Sequence, residues 1–465
     1  MATFNLSPSP DDITGTASGD LFQGGSADLQ TLDVIRGGGG IDKLDSGTDP
    51  NGTQAPTISS VENIVLDTAG LPFSLENVSG ARIISTDGAS IVFEGVGQPE
   101  LAYTYGALNV QSGTVDLRFE GGSLEGDDDT LSLFSDSSDV TFTSGSSFDS
   151  PGGEMNQTED AARIENIDLV LRGPQGEAQF GNQVDLSAFT ALETLTLFGP
   201  SVSKVVVDST ELSQIDARAT KGGITLTSDI AGNQTILGGS GNDDFTTGAG
   251  SDNIDVAGGN NVVNAGAGDN VVSARNGDDT ITTEAGDDLI NSGSGMDMID
   301  SGSGEDEINA GGGNDTVLAG DGTDIVRGNR GDDDLRGGGG NDLLFDGAGN
   351  DTVRGEGDDD FFFAGEGDDT FIGGGGVDTF SFRSQNYGTD TVEDFTLTSD
   401  AATNDRVVFQ YQGQTFKLQS RQDFQEFNNS TEGEGLDANP QTDTITINGD
   451  GGTIVLNVSD ADFLF

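Results

Sequence analysis

Residues 238–255 read GGSGNDDFT TGAGSDNID, and this nine-residue pattern continues without interruption to Ser381. The repeat comprises sixteen units, called the array below. Position four of the unit is Gly in fifteen units, with Asp358 as the exception. Position six is Asp in fourteen units and Asn in two, Asn261 and Asn270, and position eight is apolar in all sixteen. A period kept this strictly predicts a repeat architecture.

Each unit divides into a turn and a strand. The first six positions are rich in Gly, Asp and Asn, which tolerate positive φ and build turns. The last three positions favour a short strand with one inward apolar side chain. Two units are expected to form one coil, and the coils are expected to stack at strand spacing. The sequence therefore predicts an all-β fold, a right-handed parallel β-solenoid.

The carboxylates at position six would stack in such a solenoid. Of the 16 − 2 = 14 pairs formed by a unit and the second unit after it, four contain an Asn and ten are Asp with Asp. A divalent cation between coils would neutralise these pairs, with turn carbonyls as further ligands. Ca²⁺ fits best because it accepts irregular coordination by about six to eight oxygens. The candidate ligands in the array are Asp243, Asp252, Asp279, Asp288, Asp297, Asp306, Asp315, Asp324, Asp333, Asp342, Asp351, Asp360, Asp369 and Asp378.

The array resembles the RTX, or haemolysin-type calcium-binding, repeat family, whose pattern is G-G-x-G-x-D-x-U-x. The resemblance implies a calcium-binding β-roll that holds on the order of ten or more Ca²⁺ ions. Calcium is expected to bind more weakly, or not at all, beside Asn261 and Asn270. The alternative interpretation is that the Asp and Gly residues form only solvated turns.

Composition excludes several functional classes. The chain has 81 acidic and 18 basic residues, a formal charge of −63, which opposes binding to nucleic acid and to anionic lipid. Because His is absent and Cys is absent, zinc sites, disulfides, thiol nucleophiles and His-based catalysis are excluded. Any bound metal must therefore accept oxygen ligands. No G-x-S-x-G elbow occurs, and we interpret the chain as not an enzyme, although paired carboxylates for glycoside cleavage remain formally possible.

The segment before the array has two parts. Residues 1–55 contain degenerate copies of the repeat unit. They predict an amino-terminal segment that bound calcium stabilises, with Asp20, Asp33 and Asp42 as possible ligands. Residues 56–237 favour short alternating strands, as in a wider β-helix that leads into the roll. Apolar residues recur there every nine or ten positions, at Leu195, Val205, Ile215 and Ile224.

Residues 212–239 are similar to surface-layer proteins of Gram-negative bacteria, in which a β-solenoid leads into calcium repeats. After the array, residues 382–465 predict a small β-rich cap that looks like the usual RTX carboxyl-terminal module. Its tail, Ala461–Phe465, resembles the acidic and apolar signal that type I secretion systems recognise, and a plain terminal strand is the alternative. The first residues do not read as a signal peptide, and no apolar stretch of about 18 residues predicts a membrane span.

Outward positions of the array predict an interface. Successive units alternate between two sheets, and positions seven and nine point outward. The even-numbered units present an apolar and aromatic face there, whereas the odd-numbered units present a largely polar one. We expect the even face to be covered, either by residues 382–465 or by a neighbouring subunit. Its members include Ile325, Arg327, Leu343, Phe345, Phe361 and Phe363.

Together these observations predict a secreted, calcium-binding structural protein of the cell surface. Self-assembly as a surface layer is the preferred function, with lateral contacts between copies and possible contacts with cell-surface polysaccharide or lipopolysaccharide. An RTX adhesin or an extracellular filament subunit is the alternative, and a polysaccharide-modifying RTX enzyme is less favoured. The type I secretion apparatus is the expected export partner.

Overall fold

The computed structural model describes strand segments up to residue 186 and most of the chain from 191 to 458. The gaps after 191 are 200–202, 208, 229, 383–387, 398–400, 413, 431–435, 440–443 and 451. The chain forms two compact units, Met1–Gly248 and Ala249–Phe465. Asp20, Asp33, Asp42 and Ala461–Phe465 lie outside the described residues. The division of the chain into the four segments 1–55, 56–237, 238–381 and 382–465 remains a prediction.

Short parallel strands build the first unit. Each strand pairs with the second strand after it over most of this unit, so that Leu195 lies beside Ile215 and Ile215 beside Ile236. A second set of strands places Val205 beside Leu226. These side chains are completely buried, as expected for a solenoid whose strands each turn one apolar row inward. The recurrence of apolar residues that predicted a β-helix is therefore found in the structure.

The strands of the first unit are Thr3–Asn5, Asp12–Thr14, Leu21–Gly24, Val34–Arg36, Lys43–Ser46, Thr57–Ser59, Asn63–Leu66, Pro72–Ser74, Val78–Ser79, Ile83–Thr86, Ile91–Val96, Ala107–Val110, Gly113–Phe119, Thr130–Ser135, Val140–Ser144, Asn166–Leu171, Asn182–Asp185, Thr194–Gly199, Ser203–Val206, Gln214–Thr220, Ile224–Thr227, Thr235–Leu237 and Asp244–Thr246.

The second unit contains most of the array as a parallel β-solenoid, which confirms the predicted fold class. Strands pair in register at a separation of 18 residues, so that Val272 lies beside Ile290 and Ile308 beside Val326. The apolar side chain at position eight is at most 1% exposed in all sixteen units. One buried row from each of two alternating strand sets therefore forms the core.

The strands of the second unit are Asn253–Asp255, Val262–Gly266, Val271–Ser273, Thr280–Thr283, Leu289–Asn291, Met298–Asp300, Glu307–Gly312, Thr316–Asp321, Ile325–Arg330, Asp334–Gly339, Leu343–Ala348, Thr352–Gly357, Phe361–Ala364, Thr370–Gly375, Thr379–Phe382, Gly388–Phe395, Arg406–Tyr411, Gln414–Leu418, Leu436–Asn439, Thr444–Asn448 and Gly452–Val458.

A cap follows the last repeat. Two of its strands continue the parallel ladders, since Thr370 pairs with Thr391 and Thr379 pairs with Arg406. The strands Gln414–Leu418 and Thr444–Asn448 then add in antiparallel fashion. This change of direction ends the stack of identical coils, whose open edge would otherwise present unpaired backbone groups.

The cap also contains a helix, Arg421–Ser430, and a short 3-10 helix, Ala401–Thr403, which the sequence analysis did not predict. Ser420 caps the longer helix: its Oγ accepts from the Asp423 N–H at 3.2 Å, and Asp423 Oδ2 accepts from the Ser420 N–H at 2.9 Å. Such a reciprocal pair is a capping box, which Ser and Asp three residues apart could have indicated. None of the described helices has the length and apolar character needed to cross a membrane.

The even face is half-buried within the chain. Leu343, Phe345, Phe361 and Phe363 have intermediate exposure, because neighbouring side chains of the ladder cover one another. The rings of Phe345 and Phe363 stack with centroids 4.3 Å apart, and the Arg327 guanidinium lies 5.4 Å from the Phe345 ring. The expectation that another surface covers this face stays a prediction.

Candidate calcium sites

The carboxylates at position six form two continuous ladders inside the second unit. The backbone N–H of each Asp donates to Oδ1 of the Asp one coil later, as in the 2.8 Å bonds from Asp279 to Asp297 and from Asp297 to Asp315. All ten Asp–Asp pairs predicted from the array make this contact, at 2.8–3.0 Å. The coil spacing therefore brings these carboxylates together as expected.

The second oxygen of these carboxylates, Oδ2, accepts no hydrogen bond. From Asp279 to Asp369, every Asp at position six has a buried Oδ2 with no hydrogen-bond partner. The hydroxyl of Thr283 lies beside Asp288, but it donates to the Ser301 carbonyl at 2.9 Å. A buried anionic oxygen without a donor carries a large desolvation penalty, which a bound cation would remove.

Burial disfavours the charged form of these groups. It raises the pKa of Asp279 to about 6 and that of Asp315 to about 7. Burial raises the pKa of Asp360 to about 8, and the like charges of Asp342 and Asp378 add to this effect. When ionised, these ladders carry negative charge that no ion pair among the described residues balances, the kind of environment that attracts a divalent ion.

The two Asn residues complete their own hydrogen bonds. The side-chain amide of Asn270 donates to the carbonyls of Gly266 and Gly268 at 3.2 and 2.8 Å. That of Asn261 donates to the Gly259 carbonyl and to Asp279 Oδ1, both at 2.9 Å. These carbonyls belong to positions two and four of the turn. An amide N–H therefore donates to the turn carbonyls in these two units, whereas a carboxylate at the same position has no proton to donate.

Comparison with protein families agrees with this geometry. The RTX calcium-binding nonapeptide repeat, described as four copies, matches seven overlapping segments: 230–263, 257–290, 264–299, 291–326, 300–335, 327–362 and 345–380. The chain carries an RTX array. RTX repeats bind Ca²⁺, and the proteins that carry them are typically secreted, so the array suggests a secreted calcium-binding protein. No curated protein matches the chain.

The RTX array has the donor set that Ca²⁺ requires. The buried Oδ2 atoms and the carbonyls at positions two and four are hard oxygen donors, in accord with the preference of calcium. Asp315, for example, would hold the ion with the turn carbonyls of its own unit and with Asp333 of the next coil. Bound Ca²⁺ would supply positive charge between coils, which permits the carboxylates to remain ionised and buried.

Sequence reasoning missed two members of the ladders. Asp390 Oδ1 accepts from the Asp369 N–H, and Asp405 Oδ1 accepts from the Asp378 N–H, both at 3.0 Å. Both Asp residues are buried and lie in the cap, beyond the last repeat. Their separations from the preceding ladder Asp, 21 and 27 residues, differ from the 18 residues that separate ladder Asp residues within the array. The signal was local: each Asp lies two positions before a buried Val, as in the repeat unit.

Asp243 differs from the other predicted ligands. Its Oδ1 accepts from the Ile224 N–H at 2.9 Å, and its Oδ2 accepts from the Gly239 N–H at 3.1 Å. Both carboxylate oxygens are therefore engaged by backbone donors within the first compact unit. These bonds give Asp243 a structural role at the entrance to the array, whereas Asp315 and its equivalents keep one oxygen available.

Position five forms a second, exposed ladder. Asp278 Oδ1 accepts from the Met296 N–H at 2.9 Å, and Asp332 Oδ1 accepts from the Asn350 N–H at 2.8 Å. The direction is opposite to that at position six, because here the side chain of the earlier coil caps the later one. Asp and Asn both serve in this role, as Asn314 does for Asp332. The sequence analysis assigned no function to this position.

Proposed function

We propose that this RTX protein is a structural component of the cell surface that folds on meeting calcium outside the cell and then self-assembles, most simply as a surface layer. The observation that carries the proposal is the continuous row of buried Asp carboxylates, each with one Oδ2 lacking a protein donor. Such a row is stable only when cations are plentiful. Extracellular modules bind Ca²⁺ at roughly 10⁻⁴ to 10⁻³ M, which suits folding outside the cell.

The negative charge of the chain gives a reason why folding would occur only after export. The chain carries −63, and bringing the ladder carboxylates together without a cation adds repulsion to a chain with a small core. A chain that remains unfolded where calcium is scarce suits type I secretion, and RTX proteins are secreted by this route. Calcium binding then supplies the folding free energy.

The even face supports assembly into a layer. It combines the stacked rings of Phe345 and Phe363 with Arg327, and exposed Leu289 extends the apolar character along the array. Aromatic residues with Arg are enriched at the centres of protein interfaces. We assign this face to lateral contacts between copies, with cell-surface polysaccharide or lipopolysaccharide as a further partner. A filament or an adhesin would use the same face, and we assign no catalytic role to the chain.

Electron microscopy and sedimentation of the purified full chain test this function. Millimolar Ca²⁺ should convert a small, largely unfolded species into folded protein that forms sheets, and chelator should reverse the change. Folded monomers at all concentrations would contradict self-assembly, and strand content equal in chelator and calcium would contradict calcium-dependent folding.

A double variant separates the two roles of the even face. Replacing Phe345 and Phe363 with Ser should abolish assembly while calcium-induced circular dichroism is retained. Loss of calcium-induced folding instead would favour the alternative, in which residues 382–465 of the same chain cover this face. Replacing exposed Thr280 with Ser on the odd face is the control and should leave assembly unchanged.

A further inference from the structure

Position one of the repeat unit is occupied by small or apolar residues except in one unit. It is Gly, Ala, Ser, Thr or Val in fifteen units and Asp346 in the thirteenth. A side chain at this position is directed at the ladder: a Cβ added to Gly337 would lie 2.2 Å from Asp342 Oδ2, and one added to Gly355 would lie 2.0 Å from Asp360 Oδ2. An acidic residue at position one therefore brings a third carboxylate to a ladder site.

Asp346 is completely buried. Its Oδ1 accepts from the Gly347 N–H at 2.5 Å, whereas its Oδ2 is buried and has no hydrogen-bond partner. A Cβ added to Gly365, in the next coil of the same ladder, would lie 2.8 Å from Asp346 Oδ1. The Asp346 carboxylate thus reaches the space between its own coil and the next one.

Two ladder carboxylates border the same space. One oxygen each of Asp346, Asp351 and Asp369 lie within 4.8 Å of one another, and all three residues are buried. The Oδ2 atoms of Asp351 and Asp369 also lack hydrogen-bond partners. Three carboxylates, each of which has one unpartnered oxygen, therefore converge at one point between coils.

No basic side chain in the described part of the chain forms an ion pair with these three carboxylates. The ion pairs formed within the described part of the chain join Arg residues to Asp216, Asp255, Glu307 and Asp334, none of which belongs to the cluster. Asp369 and Asp346 are close enough to share a proton, which is the competing way to reduce the repulsion. A divalent cation neutralises two charges at once and satisfies all three oxygens, whereas a proton satisfies only one contact.

We propose that Asp346, Asp351 and Asp369 form a three-carboxylate cation site that binds Ca²⁺ more tightly than any two-carboxylate site of the array and fills first. This inference rests on the proposed calcium binding. Affinity for Ca²⁺ rises with the number of charged ligands and with the rigidity of the site. The same charge count makes the site the preferred position for a trivalent lanthanide. At low calcium, the coils around units thirteen and fifteen order before the rest.

Calcium titration of the full chain by equilibrium dialysis tests the site, with Asp346→Gly as the main variant. Gly is the native residue at positions 337 and 355, so this variant should still fold at saturating calcium. The wild type should show one class of site that fills before the others. Asp346→Gly should weaken that class about tenfold or more, since losing even an outer-shell partner of a metal ligand costs about 10- to 100-fold in affinity. Asp346→Asn, which keeps the shape, should weaken it as well.

The control removes a charge elsewhere. Asp300→Asn alters an exposed residue about three coils before Asp346 and should leave the tight class unchanged. Eu³⁺ excitation spectra supply a second readout, since their band position reports the number of anionic ligands: the first equivalent bound should give a band that is absent only in the Asp346 variants.

Three outcomes overturn the assignment in distinguishable ways. Titrations of Asp346→Gly and wild type that superimpose would show that Asp346 is not a ligand. Tighter binding by Asp346→Gly would show that Asp346 holds a proton that competes with the cation. Both results leave the calcium function of the array intact. A wild type that binds no calcium would overturn the site and the proposed function together.

Discussion

Units three and four of the array (256–273), called the Asn units, and units five to sixteen (274–381), called the Asp units, share one backbone and differ in their chemistry. Val263 pairs with Ile281 and Val272 with Ile290 in the register used throughout. The position-six N–H donates to the side chain one coil later in both regions. The Asn units nevertheless satisfy their turn carbonyls with amide protons, whereas the Asp units leave a buried anionic oxygen.

The difference shows what the carboxylate contributes. The Asn side-chain amide donates its own protons to the turn carbonyls, so we expect the Asn units to need no cation there. A carboxylate at the same position has no proton to donate and is proposed to bind a cation, so we expect the Asp units to be stable only where calcium is available. The twelve Asp residues at position six of the Asp units are therefore expected to make folding depend on calcium, and the two Asn units are expected to depend on it less.

Calcium removal should separate the two regions most strongly. In chelator, the Asp units should lose hydrogen-exchange protection across the ladder, including at the N–H groups of Asp297 and Asp315, because paired charges repel without the ion. Protection should return when calcium is restored to a few millimolar. Exchange mass spectrometry of the full chain measures both states. Unchanged protection of the Asp units in chelator would mean that the ladders do not need a cation.

Deleting one ladder carboxylate should have the next largest effect. Asp315→Ala removes a calcium ligand and the acceptor for the Asp297 N–H, and should lower the free energy of unfolding in calcium by about 3 kcal/mol. The exposed Asp244 is the control, and Asp244→Ala should change it by less than about 0.5 kcal/mol. Chemical denaturation at saturating calcium measures the difference. Equal effects of the two variants would contradict the ladder assignment.

Exchanging the two side chains should convert one kind of unit into the other. Asp315→Asn should reduce the calcium bound at saturation and raise stability in chelator by about 1 kcal/mol, since a buried charge is replaced by an amide with carbonyl partners. Asn270→Asp should do the opposite, adding calcium and lowering stability in chelator. Calcium stoichiometry and melting curves in both media check the pair. Matching changes in the same direction would show that charge at position six does not govern calcium binding.

The pH dependence should also distinguish calcium-free from calcium-bound protein. Burial raises the pKa of Asp315 to about 7 and of Asp360 to about 8 in the folded chain, above an unfolded value of about 3.9. The folded state therefore binds more protons, and its stability in chelator should fall as pH rises from about 4 to about 8. With calcium the dependence should reverse, because the ion requires ionised ligands. Melting temperatures across this range in both media provide the measurement.

The sequence predicts the structure best where the nine-residue repeat is regular. The burial of the position-eight residues and the pairing of the Asp ladders follow from nine-residue spacing, because stacking fixes every coil once one is known. Asp390 and Asp405 were not predicted because longer connections in the cap bring them to the ladders. The helix Arg421–Ser430 was not predicted because its capping box is a single local signal. Asp346 was overlooked because position one showed no polar pattern, and only the structure brings its carboxylate to Asp351 and Asp369.

The smallest effect is expected at Asp358, the one unit whose fourth position is not Gly. Position four has a left-handed backbone in most coils, with φ of 142° at Gly349 and 72° at Asp358. A left-handed conformation costs a residue with a Cβ roughly 1–2 kcal/mol, somewhat less for Asp. The Asp358 charge also helps to raise the pKa of Asp342 and Asp360. Asp358→Gly should therefore stabilise the array by about 1 kcal/mol in calcium.

Two further variants divide this effect into backbone and charge. Asp358→Ala removes the charge but keeps the Cβ, so its gain should be smaller than that of Asp358→Gly by the backbone contribution. Gly349→Ala should be strongly destabilising, because the added Cβ would lie 1.9 Å from the Gly331 carbonyl oxygen of the preceding coil. Denaturation in calcium ranks the three variants. Equal gains in stability for Asp358→Gly and Asp358→Ala would assign the whole effect to the removed charge. Gly would then be required at position four only where the coils approach as closely as they do at Gly349.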